Sequence, residues 1–199
     1  VREGLRVESL SGALTEVNPR QSNRYRERFH EEDEKEIFTQ LQGIKSGYDW
    51  FWETFRGNAR NYGHFLSEVS LDEQVDVRLR FWGLNEGLHS FEMRWNDSVI
   101  ALRNFTGKQA ATLSVSSPIG AVEGLNQLGV FHRDNTATRF DWYEIEYGRA
   151  LHARGGELVF DWLGAADTNQ SAVNLQRGNT AEFHLTGFDD GRPRIFDVK

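Results

Sequence analysis

The chain of 199 residues contains no cysteine. That excludes a thiol nucleophile, a zinc–thiolate site, an iron–sulfur cluster and any disulfide. Compartment stays open, because a domain of this size is stable outside the cell without cross-links. Methionine occurs once, at Met93, and the chain starts at Val1 with no signal peptide, as expected of a processed protein or a piece of a longer one. No apolar run approaches the roughly 18 residues that span a bilayer, so no membrane insertion is expected. Basic charge is in deficit, with 23 Lys+Arg against 30 Asp+Glu, a net −7 and no basic block. This argues against nucleic acid as a partner. Also missing are the serine-nucleophile signature G-x-S-x-G, the phosphate loop, the zinc-protease H-E-x-x-H and the dinucleotide fingerprint.

What is present is a core in proportion to the chain. Hydrophobic residues make up 38% and aromatics 13%, enough to bury a sizeable interior. The first forty residues stand apart. Arg24 to Glu36 is dense in charge and reads as a solvated arm, helical from Glu31 to Leu41 where Ile37, Phe38 and Leu41 form a short apolar stripe. Gly43 and Gly47 interrupt that pattern, and five large aromatics follow from Tyr48 to Phe55.

From Tyr62 onward the period is two. Val75, Val77, Leu79 and Phe81 alternate with Asp76, Arg78, Arg80 and Trp82, the mark of a half-buried strand. Phe91, Met93 and Trp95 alternate with Glu92 and Arg94; Asn96-Asp97 makes a turn, and Val99 to Leu102 returns as a hairpin. Leu113 and Val115 alternate with Thr112, Ser114 and Ser116, and Tyr143, Ile145 and Tyr147 with Trp142, Glu144 and Glu146. Glu157 to Leu163, Ala172 to Gln176, Ala181 to Thr186 and Arg194 to Val198 are further short strand candidates. About ten strands separated by polar turns predict an all-β fold, an antiparallel β-sandwich of jelly-roll-like form. A charged, partly helical arm over residues 1–47 precedes the sandwich domain over residues 48–199.

Glu144 and Glu146 point the same way, about 6.5–7 Å apart by strand geometry. A glycosidase needs two carboxylates facing across a cleft, and solubilising groups on a polar face are the better reading of this pair. The six histidines, His30, His64, His89, His132, His152 and His184, form no H-x-H or H-x-x-x-H pair, so no metal ligand is assigned and only convergence in space would make one. His132-Arg133-Asp134 holds catalytic residue types without nucleophile–base geometry. Asp167-Thr168-Asn169 and Asp189-Asp190-Gly191 lack a full calcium loop and read as turns. No catalytic residue and no cofactor is assigned.

The tryptophans carry more. Strand parity packs Trp95 and Trp162 inward and places Trp82 and Trp142 on polar faces. Exposed rings there would stack on sugars or anchor a protein. The competing expectation is that the aromatic segment Tyr48–Phe55, or the arm before it, lies across that face and covers them.

The succession HEEDEKEIF, SGYDWFWETF, FEMRWNDSVI, FDWYEIEYGRAL and FHLTGFDDGRPRIFDVK resembles the β-sandwich region just upstream of the catalytic domain in gingipain-type cysteine peptidase proteins. These are proteins of Bacteroidetes-like bacteria associated with type IX secretion. The likeness spans about Phe29 to Lys199 and is most specific at Asp141-Trp142-Tyr143-Glu144-Ile145-Glu146-Tyr147 with Arg149 and Leu151, then at Ile195-Phe196-Asp197-Val198. It implies a non-catalytic accessory domain of a secreted or cell-surface protein, whose partner is the peptidase domain following in the same chain; a glycan or another protein is the further partner considered. The alternative is a carbohydrate-binding module using Trp82 and Trp142. An enzyme in its own right is the third reading.

Overall fold

A computed structural model describes residues 20–38, 49–71, 73–160 and 181–188. Within these lie thirteen strands: β1 (Arg20–Ser22), β2 (Arg24–Glu32), β3 (Glu36–Phe38), β4 (Asp49–Phe51), β5 (Glu53–Phe55), β6 (Ala59–Leu66), β7 (Gln74–Gly83), β8 (Leu88–Trp95), β9 (Ser98–Thr106), β10 (Ala110–Gly120), β11 (Gly124–His132), β12 (Thr138–Ala150) and β13 (Ala181–Phe183). The described residues hold no helix. Two compact units result, Arg26–Arg149 and, separately, Val1–Tyr25 with Ala150–Lys199.

The larger unit is sandwich-like and antiparallel. One sheet runs β10-β7-β12-β2 with β5 also on β12; the other runs β6-β11-β8-β9. Both follow from two-residue alternation, which puts one side chain of each pair between the sheets. On β7, Val75, Val77, Leu79 and Phe81 are buried, with Asp76, Arg78, Arg80 and Trp82 half-buried on the other face. Phe91, Met93 and Trp95 of β8 and Leu128 and Val130 of β11 face them across the core. The β8–β9 hairpin turns at Asn96 and Asp97, whose φ values of 47° and 66° are those of a primed two-residue turn.

On β12 the buried positions are Thr138 and Phe140, then Tyr143, Ile145 and Tyr147. The parity switches because Phe140 pairs with Phe81 but Tyr143 with Leu79, so Asp141 and Trp142 together oppose Arg80. This β-bulge keeps the apolar set inward across a change of register.

The arm differs from its expectation. No helix runs from Glu31: residues 24–32 form β2 beside β12, and β3 pairs with β4 through Glu36↔Phe51, Ile37↔Trp50 and Phe38↔Asp49. Residues 39–41 lie outside the described residues. Tertiary partners override the helical stripe, since Phe29 stacks on Tyr147 at 6.0 Å while Arg26, Arg28 and His30 meet acidic groups of the neighbouring strands. In the aromatic segment Tyr48 lies outside the described residues and Trp50 is exposed, whereas Phe51 and Phe55 are buried and Trp52 stacks on Phe140 and Tyr143 at 5.7 and 5.6 Å.

In the smaller unit β1 runs parallel to β13, Arg20↔Ala181 to Ser22↔Phe183. The Leu151 N–H donates to Asn23 O at 2.8 Å, and Phe160 lies between the rings of Tyr25 and Phe183. Of the strand candidates here, Glu157 makes one isolated bridge to Arg154 and residues 158–160 join no strand. Residues 161–163, Ala172 to Gln176 and Arg194 to Val198 lie outside the described residues, as do Trp162, Asp167-Thr168-Asn169 and Asp189-Asp190-Gly191.

Candidate functional site

Three surfaces of the larger unit carry chemistry. The outer face of the β10-β7-β12-β2 sheet is ionic. Arg78 bridges Glu144 (Nε–Oε2 3.0 Å) and Glu146 (Nη2–Oε1 2.5 Å), and Arg28 reaches Glu146 at 2.5 Å. Asp76 holds Arg26 at 2.5 Å and accepts the Ser116 hydroxyl. Glu144 and Glu146 are thus charge partners of arginines, not a carboxylate pair across a cleft. A groove of about 580 Å³ runs over this network, lined in part by Arg28, Asp76, Arg78, Arg103 and Glu146. Trp82 and Trp142 stand on the same face, both half-buried, with the His30 ring 5.3 Å from that of Trp142. Of the arm, His30 of β2 thus reaches Trp142. Beside Trp142, burial pushes the Asp141 carboxyl up to about 6; Glu32 and Asp49 add to this and Arg80 opposes it.

The second surface is a polar cluster at the ends of β8 and β11. His89 is fully buried, His132 is buried and Asp134 half-buried. One ligand atom from each lies within 4.8 Å of the others. The Thr136 hydroxyl sits among them, 2.7 Å from His89 Nδ1 and 3.3 Å from His132 Nε2, and it donates to Asp134 Oδ1. The outer hydrogen bonds hold each group in place. His89 Nε2 donates to Asn85 O (3.2 Å), Ser90 N–H donates to Asp134 Oδ2 (2.6 Å) and Gly57 N–H donates to His132 Nδ1 (3.1 Å). Space for the His89 ring comes from Gly83, where a Cβ would sit 2.7 Å from His89 Nε2.

Sequence spacing missed this convergence, because His89 and His132 are 43 positions apart and meet through the β8–β11 pairing that sets His132 opposite Phe91. The usable signal was His132-Arg133-Asp134 at a strand end. The other histidines do not join. His30 lies on the ionic face, His64 lies 2.6 Å from the Tyr143 hydroxyl, and His152 bonds Thr186 in the smaller unit, where His184 is exposed.

The third surface is apolar. On the outer face of the β6-β11-β8-β9 sheet Phe65 and Leu125 stand directly opposite each other, 75% and 71% exposed. Leu125 lies over the bare backbone of Gly63. Farther across, Phe131 carries the Arg94 guanidinium 4.6 Å above its ring, and Leu102 is exposed opposite Glu92.

These features define an all-β, sandwich-like domain without cysteine. No protein-family model and no curated protein matches the sequence. Among solved structures, the chain is similar to dimeric latent PorU from Porphyromonas gingivalis, with TM-score 0.58 and 15% identity over 69% of this chain and 14% of that one. At that identity the likeness is one of fold, and this chain spans about a seventh of PorU's length. A family 35 carbohydrate-binding module from an environmental isolate aligns at TM-score 0.42 and 13% identity, over 59% of this chain and 91% of that one. The carbohydrate-binding module CBM36, in complex with calcium and xylotriose, aligns at 0.39 and 14%, over 60% and 98%.

Proposed function

We propose that this chain is a non-catalytic accessory β-sandwich of a secreted or cell-surface, gingipain-like cysteine peptidase protein, and that it packs against the peptidase domain. The observation that carries this is the Phe65–Leu125 pair. Two large apolar side chains face each other on an outer sheet surface that also exposes Leu102. Burying such a pair against a neighbour removes apolar area from water and stabilises both parts. The motif likeness around Asp141–Tyr147 and the PorU-like fold agree with this placement.

The test is calorimetric. The chain is joined to the peptidase domain, and its unfolding is compared with that of each part alone. A raised midpoint for both parts, removed by the F65S/L125S double variant, supports docking through this face; two unshifted transitions refute it. The second reading, a carbohydrate-binding module, is favoured by the two half-buried indoles on the outer face of the β10-β7-β12-β2 sheet, since planar rings stack on sugar faces at little entropic cost. Saturable binding on a glycan array, lost in W82A and W142A, would select that reading instead.

A further inference from the structure

We propose that His89 Nδ1, His132 Nε2 and Asp134 Oδ1 form a binding site for a divalent transition-metal ion of the zinc type. The inference is independent of the docking surface and rests on geometry: one ligand atom from each of the three groups lies within 4.8 Å of the others. His89 Nε2 donates to the Asn85 carbonyl, which directs Nδ1 to the centre of the cluster, 2.7 Å from Thr136 Oγ1. His132 Nε2 faces Asp134 Oδ1 at 3.2 Å, and Thr136 Oγ1 stands among all three groups. Both imidazoles are buried. The groups converging on the centre are two imidazoles and a carboxylate, a donor set suited to zinc, nickel, cobalt or copper and poorly suited to calcium or magnesium.

The outer hydrogen bonds support two of the three ligands as they stand. A ring N–H given to a backbone carbonyl orients His89 with Nδ1 inward, and the Ser90 amide on Oδ2 orients Asp134 with Oδ1 inward. His132 must move its proton from Nε2 to Nδ1 to coordinate, with no net loss. The Gly57 amide that now donates to Nδ1 then turns away, and Gly57, exposed and at φ 59°, has the conformational freedom to do so. Thr136 Oγ1 swings off the centre; its contact with Leu88 O at 3.3 Å is already in place.

The experiment uses the untagged, chelator-treated chain with Zn2+, Co2+ and Ca2+ added separately. Zn2+ is expected to raise the thermal midpoint by several degrees, Co2+ to give the visible absorption of a four- or five-coordinate site, and Ca2+ to do neither. T136V, which removes the central hydroxyl and keeps all three ligands, should bind Zn2+ at least as tightly. H89Q and D134N should bind it at least tenfold more weakly. If those variants fail to fold, ring-nitrogen and amide NMR of the wild-type chain decides: Zn2+ must shift His89, His132 and the Gly57 amide together. A folded wild-type chain with no Zn2+ or Co2+ response overturns the proposal. So does a response that survives in H89Q and D134N, or one that leaves those three NMR signals unmoved.

Discussion

Phe55 and Phe140 meet edge to face, their ring centroids 5.7 Å apart and their planes at 86°. Phe55 takes the same edge-on geometry against Phe81 and Phe91 and is fully buried, although it ends a strand of only three residues. So short a ladder contributes little by itself, and the ring is what secures β5. Phe55→Ala should lower the unfolding free energy by roughly 3–5 kcal/mol, as for other buried phenylalanines, read by urea denaturation. A loss below about 1 kcal/mol would show that β5 is not part of the cooperative core.

Gly83 is held to glycine by space. A Cβ there would lie 2.2 Å from Gly107 O and 2.7 Å from His89 Nε2, the first of which is backbone. Gly83→Ala should cost about 2 kcal/mol or more through overpacking, whereas Gly63→Ala, whose Cβ meets only Leu125 Cδ1 at 3.4 Å, should change stability by less than about 0.5 kcal/mol. Equal midpoints for the two variants would contradict the close approach around His89.

His64 makes the fold sensitive to acid. Burial among Phe29 and Tyr143 pulls its pKa below 6.5, with Glu31 opposing. The unfolded chain therefore binds the proton more readily. The contribution is fully present above pH 6.5 and is lost as pH falls below it toward the folded-state value. His64→Gln should flatten the fall in thermal midpoint just below pH 6.5. An unchanged slope would mean that His64 is not the group responsible.

Asp141 works in the opposite direction. Its carboxyl is pushed up to about 6, mainly by burial at the bulge, so folding favours the protonated form. Stability from this group is complete below about pH 3.8 and is lost as pH rises through 6. Asp141→Asn should raise stability at pH 7 by roughly 1–2 kcal/mol, and the gain should vanish near pH 4. A gain of the same size at both values would point to a cause other than charge.

Much of the larger unit was legible from alternation. β7, β8, the Asn96-Asp97 turn, β10 and the inward set of β12 follow from a side-chain period of two. β11 was harder to read, because Gly124 and Gly129 break its pattern and only Leu128 and Val130 mark its buried face. β2 was misread as a solvated arm, its last two residues as the start of a helix. Its charged residues look solvated in isolation, and their partners Asp76, Glu144 and Glu146 lie 50 to 118 positions away.

The order of residues alone determined that this is a β-rich chain with no thiol chemistry, since period and composition are local properties that need no partner. Tertiary structure decided the rest. It brought His89 to His132 and Asp134, and it seated Phe55 between the sheets. It also left Phe65 and Leu125 facing water as neighbours. Each depends on which strands pair and in what register, and the free energy of pairing comes from contacts between residues far apart along the chain.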